Sequence, residues 1–140
     1  MQLVIDDAID SCLRHGYVVV ATDYQGLGTP RIHPYINAPS QVYNVVDSVH
    51  ALHSCKPKQF NKDWMEMGHS QGGAAAIAVA AQGQKDALEL NLKAAIPLAP
   101  GGYQYECIAE YVETNPNPDT NVEAFFSIVL LGAAEADRSM

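Results

Sequence analysis

The sequence predicts an α/β fold, a three-layer sandwich of parallel strands between helices, and three observations carry that prediction. Apolar residues recur at helical spacing over residues 2–15 and again over 42–52. Short continuous apolar runs, Tyr17-Val18-Val19-Val20-Ala21-Thr22 and Ala94-Ala95-Ile96-Pro97-Leu98-Ala99, have the composition of strands buried on both faces. Between them, Trp64-Met65-Glu66-Met67 passes through Gly68-His69-Ser70-Gln71-Gly72-Gly73 into an alanine-rich helical stretch. Strand and helix therefore alternate along the chain.

Taken in order, Ile5, Ala8, Ile9, Cys12 and Leu13 line one face of a first helix, and Gly16 stands where a left-handed stop is wanted. The β-branched run at 17–22 follows at once as a strand. Gly26, Gly28, Pro30, Pro34 and Pro39 then break regular structure, leaving a long loop at the strand's carboxyl end, the edge where open α/β sheets bind ligands. Gly26-Leu27-Gly28 is not a dinucleotide loop, because the third glycine of that fingerprint falls on Arg31. Ser40 is positioned to cap a second helix striped by Val42, Val45, Val46, Val49 and Leu52. A strand at 64–67, a helix to about residue 83 and a strand at 93–99 come next. Beyond Pro100-Gly101-Gly102 the pattern predicts a helix over 105–113, a Pro/Asn break, and an apolar helix over 122–134. The chain thus divides into an α/β core over 1–103 and the beginning of a helical cap over 104–140.

Composition narrows the function. A formal charge of -8 argues against nucleic acid or an anionic membrane surface as partner. The three cysteines are widely spaced, with no C-x-x-C pair, so no metal site is indicated; buried thiols are expected, with one disulfide left open. The start, Met1-Gln2-Leu3-Val4-Ile5-Asp6-Asp7, lacks the basic and apolar regions of an export signal. The longest apolar stretch, 124–134, is too short to span a bilayer.

The chemistry concentrates at Ser70. A serine between glycines, after a strand and before a helix, is the pattern of a nucleophile elbow: the sharp turn strains the serine backbone, and Gly68 and Gly72 leave room for it. Ser70 is then the nucleophile, and the Gln71 backbone N–H is an oxyanion donor. His69, its neighbour, points to the other side of the strand end, so it is read as packing or as touching substrate rather than as the base. His33 lies in the long loop and is the other histidine able to approach Ser70; a loop role is preferred to a base role. His15, His50 and His53 fall near helix ends, where helix-dipole or solvent roles are the default. Asp23 is assigned to tying the loop, and Glu106 and Glu110 to the solvated face of a helix.

With those residues in place, the chain resembles the α/β-hydrolase superfamily, and within it the secreted lipases and esterases of fungi and actinobacteria. The likeness lies in Gly16-Tyr17-Val18-Val19-Val20-Ala21-Thr22-Asp23-Tyr24-Gln25-Gly26-Leu27-Gly28, in His33-Pro34-Tyr35, in Val46-Asp47-Ser48-Val49 and in Gly68-His69-Ser70-Gln71-Gly72-Gly73. The resemblance implies a carboxylic ester hydrolase working through an acyl-enzyme on Ser70, with an ester or lipid substrate, Tyr24 and His69 beside it, no metal or organic cofactor, and secretion. It also implies a serine-acid-histidine order, whereas every histidine here precedes Ser70. The acid, the base and the second oxyanion donor are therefore expected outside this chain, which reads as the central portion of a longer enzyme, with exposed apolar surface that promotes self-association. Two rival readings stand beside it. One is a peptidase or thioesterase on the same fold; the other is a non-catalytic α/β module that binds a ligand or partner.

Overall fold

The structure, a computed structural model, describes residues 2–102, 105–115 and 120–138. Its elements run α1 (Gln2–Arg14), α2 (Ala38–Cys55), β1 (Asp63–His69), α3 (Gln71–Asp86), β2 (Asn91–Leu98), α4 (Tyr105–Thr114) and α5 (Thr120–Arg138). This is the α/β class, with β1 and β2 paired in parallel, Asp63 against Asn91 and His69 against Leu98.

The first helix stops as its sequence requires. Gly16 takes φ +82°, which lets Tyr17 N–H reach the Cys12 carbonyl at 3.1 Å and Gly16 N–H reach Leu13 at 3.0 Å. This paired closure satisfies carbonyls the helix leaves open, and it favours glycine because other residues rarely adopt that backbone. His15 joins it, its Nδ1 2.8 Å from the Ser11 carbonyl. At α2 the cap is Asn37 rather than Ser40: the Asn37 Oδ1 accepts from Ser40 N–H at 3.0 Å, and Pro39 occupies the first turn, where no amide is needed.

Residues 17–22 are not a strand. No ladder forms there among the described residues, and Tyr17, Val18 and Val20 are 52%, 46% and 40% exposed. β-branched composition favours a pleated surface only when a neighbouring strand supplies hydrogen bonds and a packed face, and this run has neither. Of the three strands expected, two pair.

The core lies between α2, α3 and one face of the β1–β2 pair. Val42, Val45 and Val46 from α2 meet Ala78 and Val79 from α3, with Ala87 and Leu90 closing the end and Trp64 and Leu92 at the margin. A fully buried valine of this kind contributes about 1.5–3 kcal/mol. The opposite sheet face is open: Met65, Met67, Ile96 and Leu98 are all exposed. Cys55 is exposed and Cys12 half-buried, both as free thiols, so the expectation of buried thiols fails for Cys55; the Cys107 side chain lies outside the described residues.

α5 sits on the loop before α2. Val129 and Gly132 are buried, and a Cβ on Gly132 would come 2.5 Å from the Tyr35 backbone nitrogen and 2.9 Å from its carbonyl oxygen. Backbone cannot yield as a side chain can, so Gly132→Ala is expected to lift the helix off the loop. A melting curve should then show a net loss of about 2 kcal/mol, although alanine in a free helix is worth roughly 1 kcal/mol more than glycine.

Candidate active site

Ser70 ends β1 and begins α3 at φ +57°, ψ -112°, a backbone that costs a non-glycine residue about 1–3 kcal/mol. The surrounding chain enforces it. Ser70 N–H donates to the Leu98 carbonyl at 2.9 Å, extending the β1–β2 ladder by one bond, while the Ser70 carbonyl accepts from Ala74 at 3.1 Å and from Gly101 at 2.9 Å. A strand bond on its N–H and a helix bond on its carbonyl leave the residue no relaxed alternative. A Cβ on Gly68 would overlap the backbone of Gly72, and one on Gly73 would come 2.7 Å from the Leu98 carbonyl oxygen. The turn therefore closes only around glycines at these two positions.

At the N-cap of α3, where a serine usually turns its hydroxyl onto the helix, the Ser70 side chain makes no capping bond. Its Oγ is left to project from the turn. The next N–H, that of Gln71, heads the first turn, where helix geometry provides no internal acceptor and the helix dipole favours negative charge. A hydroxyl oxygen and a free amide at the same corner can attack a carbonyl and hold the oxyanion that results.

Behind the corner is a polar lattice. The Gln71 side-chain amide lies 2.5 Å from His33 Nε2, while His33 Nδ1 lies 2.7 Å from the Gln25 carbonyl. Gln41, only 2% exposed, donates to the Gln71 carbonyl at 3.3 Å. Gln25 is held in turn: its N–H donates to Asn44 Oδ1 at 3.1 Å, and its side-chain oxygen accepts from Ser40 Oγ at 3.0 Å. Gly26 allows the close pass, since a Cβ there would fall 2.5 Å from His33 N. The loop is thus tied by Gln25, whereas Asp23, assigned that task from sequence, is exposed at the wall of a cleft of about 650 Å³ that it shares with Thr29, Tyr43 and Asp47.

The other candidates fall as follows. His69 is exposed at the end of β1, on the strand face opposite Gly68. Tyr24 is half-buried against the core, stacked on His33 with ring centres 5.9 Å apart, and its hydroxyl faces the first turn of α3, 3.8 Å from where a Gly72 Cβ would stand. His33 has both ring nitrogens engaged, and no histidine among the described residues is hydrogen-bonded to Ser70. His50 contacts Glu89 at 2.6 Å, away from the elbow. Glu110 is exposed, and the Glu106 side chain lies outside the described residues.

One charged residue escaped the sequence reading. Glu66, 9% exposed on the inward face of β1, has a buried Oε2 with no hydrogen-bond partner, and burial pushes its carboxyl up to about 7. Burial, and then the nearby Glu66 charge, raise the Tyr24 phenol as well. The signal was available in the alternation Trp64, Glu66, Gly68, which turns the glutamate toward the helices. Because the folded carboxyl keeps its proton up to about pH 7 whereas an unfolded one releases it near 4.5, the folded state binds the extra proton between those values. Stability is therefore expected to fall as pH rises through that window, by about 2 kcal/mol. Urea midpoints at pH 5 and pH 8 check this: the wild-type midpoint should drop, and that of Glu66→Gln should stay level.

Comparison with known proteins adds one finding. The family described as Chlorophyllase matches the chain over residues 4–118, which takes in the elbow, the lattice behind it and both strands. No curated protein and no solved structure matches significantly.

Proposed function

The chain belongs to the chlorophyllase family, esterases of the α/β-hydrolase type, and from that premise we propose that Ser70 is the nucleophile of a carboxylic ester hydrolase. The observation that carries this reading is the strained, uncapped Ser70 at the head of α3. Ser70 Oγ attacks the ester carbonyl and gives up its proton to a general base. The Gln71 N–H holds the oxyanion, and collapse breaks the bond to the alcohol, which leaves with a proton. Water then attacks the acyl-serine, releasing the acid and restoring the hydroxyl. His69 is proposed to meet the substrate at the exposed end of β1, and Tyr24 to bear on it from beneath the first turn.

For substrate we propose esters with one long apolar chain, the class that joins the lipid esters of the lipase reading to the chlorophyll ester of the family name. The apolar α5 supports this choice, since Ile128, Leu130 and Leu131 are exposed on it. The same surface, with the open face of the sheet, supports self-association at high concentration. The test is covalent labelling with a fluorophosphonate and with a p-nitrophenyl ester, read by peptide mass. A single adduct on Ser70, with esters consumed faster than matched amides and thioesters, is the expected result. With a general base in place, a folded protein whose Ser70 stays unmodified would return the reading to a non-catalytic module.

A further inference from the structure

We infer that His33 is a positioning residue: fixed as the Nδ1–H tautomer, it holds Gln71 in place and couples the seat of α5 to the oxyanion amide. The tautomer follows from the partners. The Gln25 carbonyl can only accept, so His33 Nδ1 must carry the hydrogen in their 2.7 Å contact. Nε2 is then the acceptor, and the Gln71 side-chain amide donates to it. The ring bridges a loop carbonyl and the residue after Ser70, a span of 38 positions in sequence. Gln41 grips the other end of Gln71 through its carbonyl. The residue that offers the N–H is therefore held by two side chains from two different segments.

The coupling outward runs through rings. His33 meets Tyr35 edge to face at 5.9 Å, and Tyr35 meets Phe125 of α5 edge to face at 5.7 Å. Gly132 brings α5 onto the Tyr35 backbone, so the helix cannot shift without moving the residue two positions from His33. Tyr24, stacked on the imidazole with ring centres 5.9 Å apart, limits its movement toward that ring. An imidazole confined by two rings and two hydrogen bonds has little freedom, and small displacements of an oxyanion donor are costly: about 1 Å lowers rate by about a hundredfold. This role presupposes the oxyanion function proposed above for the Gln71 amide.

Two measurements on the 140-residue chain test it. Long-range proton–nitrogen NMR on histidine-labelled protein should show His33 as Nδ1–H; an Nε2–H ring overturns the inference. His33→Phe keeps the ring contacts and removes both hydrogen bonds, while His33→Gln retains one donor and one acceptor. In His33→Phe the Gln71 amide resonance should move and phosphonate labelling of Ser70 should slow by about tenfold or more, with His33→Gln within about threefold of wild type. Equal labelling of wild type and His33→Phe overturns it. If wild-type Ser70 does not label at all, the lack of a histidine bonded to it among the described residues accounts for that, and labelling does not bear on His33. The positioning role is then decided by the Gln71 resonance, which supports it by moving in His33→Phe and refutes it by staying still. If His33→Phe does not fold, the tautomer and His33→Gln decide.

Discussion

With a general base in place, replacing Ser70 by alanine is expected to lower turnover of a short-chain p-nitrophenyl ester by about four to six orders of magnitude, the scale found when a serine hydrolase loses its nucleophile. The fold should be indifferent to the change. The Ser70 side chain makes no capping bond, so alanine removes the attacking oxygen without opening the helix. Alanine also keeps the Cβ, and with it the cost of φ +57°. Glycine does not. Ser70→Gly should lose the same activity and gain about 1 kcal/mol of stability, because glycine adopts that backbone without strain. The pair separates chemistry from conformation: two inactive variants, one as stable as wild type and one more so, compared by ester turnover and by urea unfolding. A drop in stability for Ser70→Gly would mean that the turn is not strained in solution.

Gly68→Ala should produce the largest structural effect. Its Cβ would overlap the Gly72 backbone, where β1 and the first turn of α3 cross. Neither segment can yield, since the Ser70 N–H is tied to Leu98 and the Ser70 carbonyl to Gly101 and Ala74. The expected cost is about 3–5 kcal/mol, a large part of the 5–15 kcal/mol that usually holds a domain together. Circular dichroism during thermal unfolding should show the cooperative transition broadened or lost. Gly72→Ala is the control. Its Cβ would meet only the Tyr24 hydroxyl, at an ordinary 3.8 Å, so a change within about 1 kcal/mol is expected. Equal damage from both substitutions would mean that the crossing is looser than described.

How much of this was legible beforehand depends on the reach of each interaction. The helices α1, α2 and α3 and the strands β1 and β2 were readable because their signals are local: apolar spacing, Gly16 at a helix end, glycines around Ser70. The run at 17–22 misled because its composition speaks of β structure while the pairing that would realise it depends on a neighbouring strand. Asn37 takes the capping role expected of Ser40, its Oδ1 accepting from the Ser40 N–H, with Pro39 in the first turn, where no amide hydrogen is needed. The passage from strand through Ser70 into helix was legible as a shape, yet what holds it was not. The contacts of Gln71 with His33 and Gln41 join residues 38 and 30 positions apart, and no periodicity reports on such pairs. The burial of Glu66 depends on which face of β1 the helices cover, and a four-residue run does not say which.

That same strand sets how the protein ages. The alternation that turns Glu66 inward turns Met65 and Met67 out, so two thioethers on β1 meet dissolved oxidants while the carboxyl between them is shielded. Each sulfoxide formed there places a strong dipole on an apolar surface without disturbing the buried side. Storage in air should therefore first change how this molecule sticks to others and to resins, with its melting behaviour following late, and adding a mild thioether scavenger to the buffer should keep the preparation uniform.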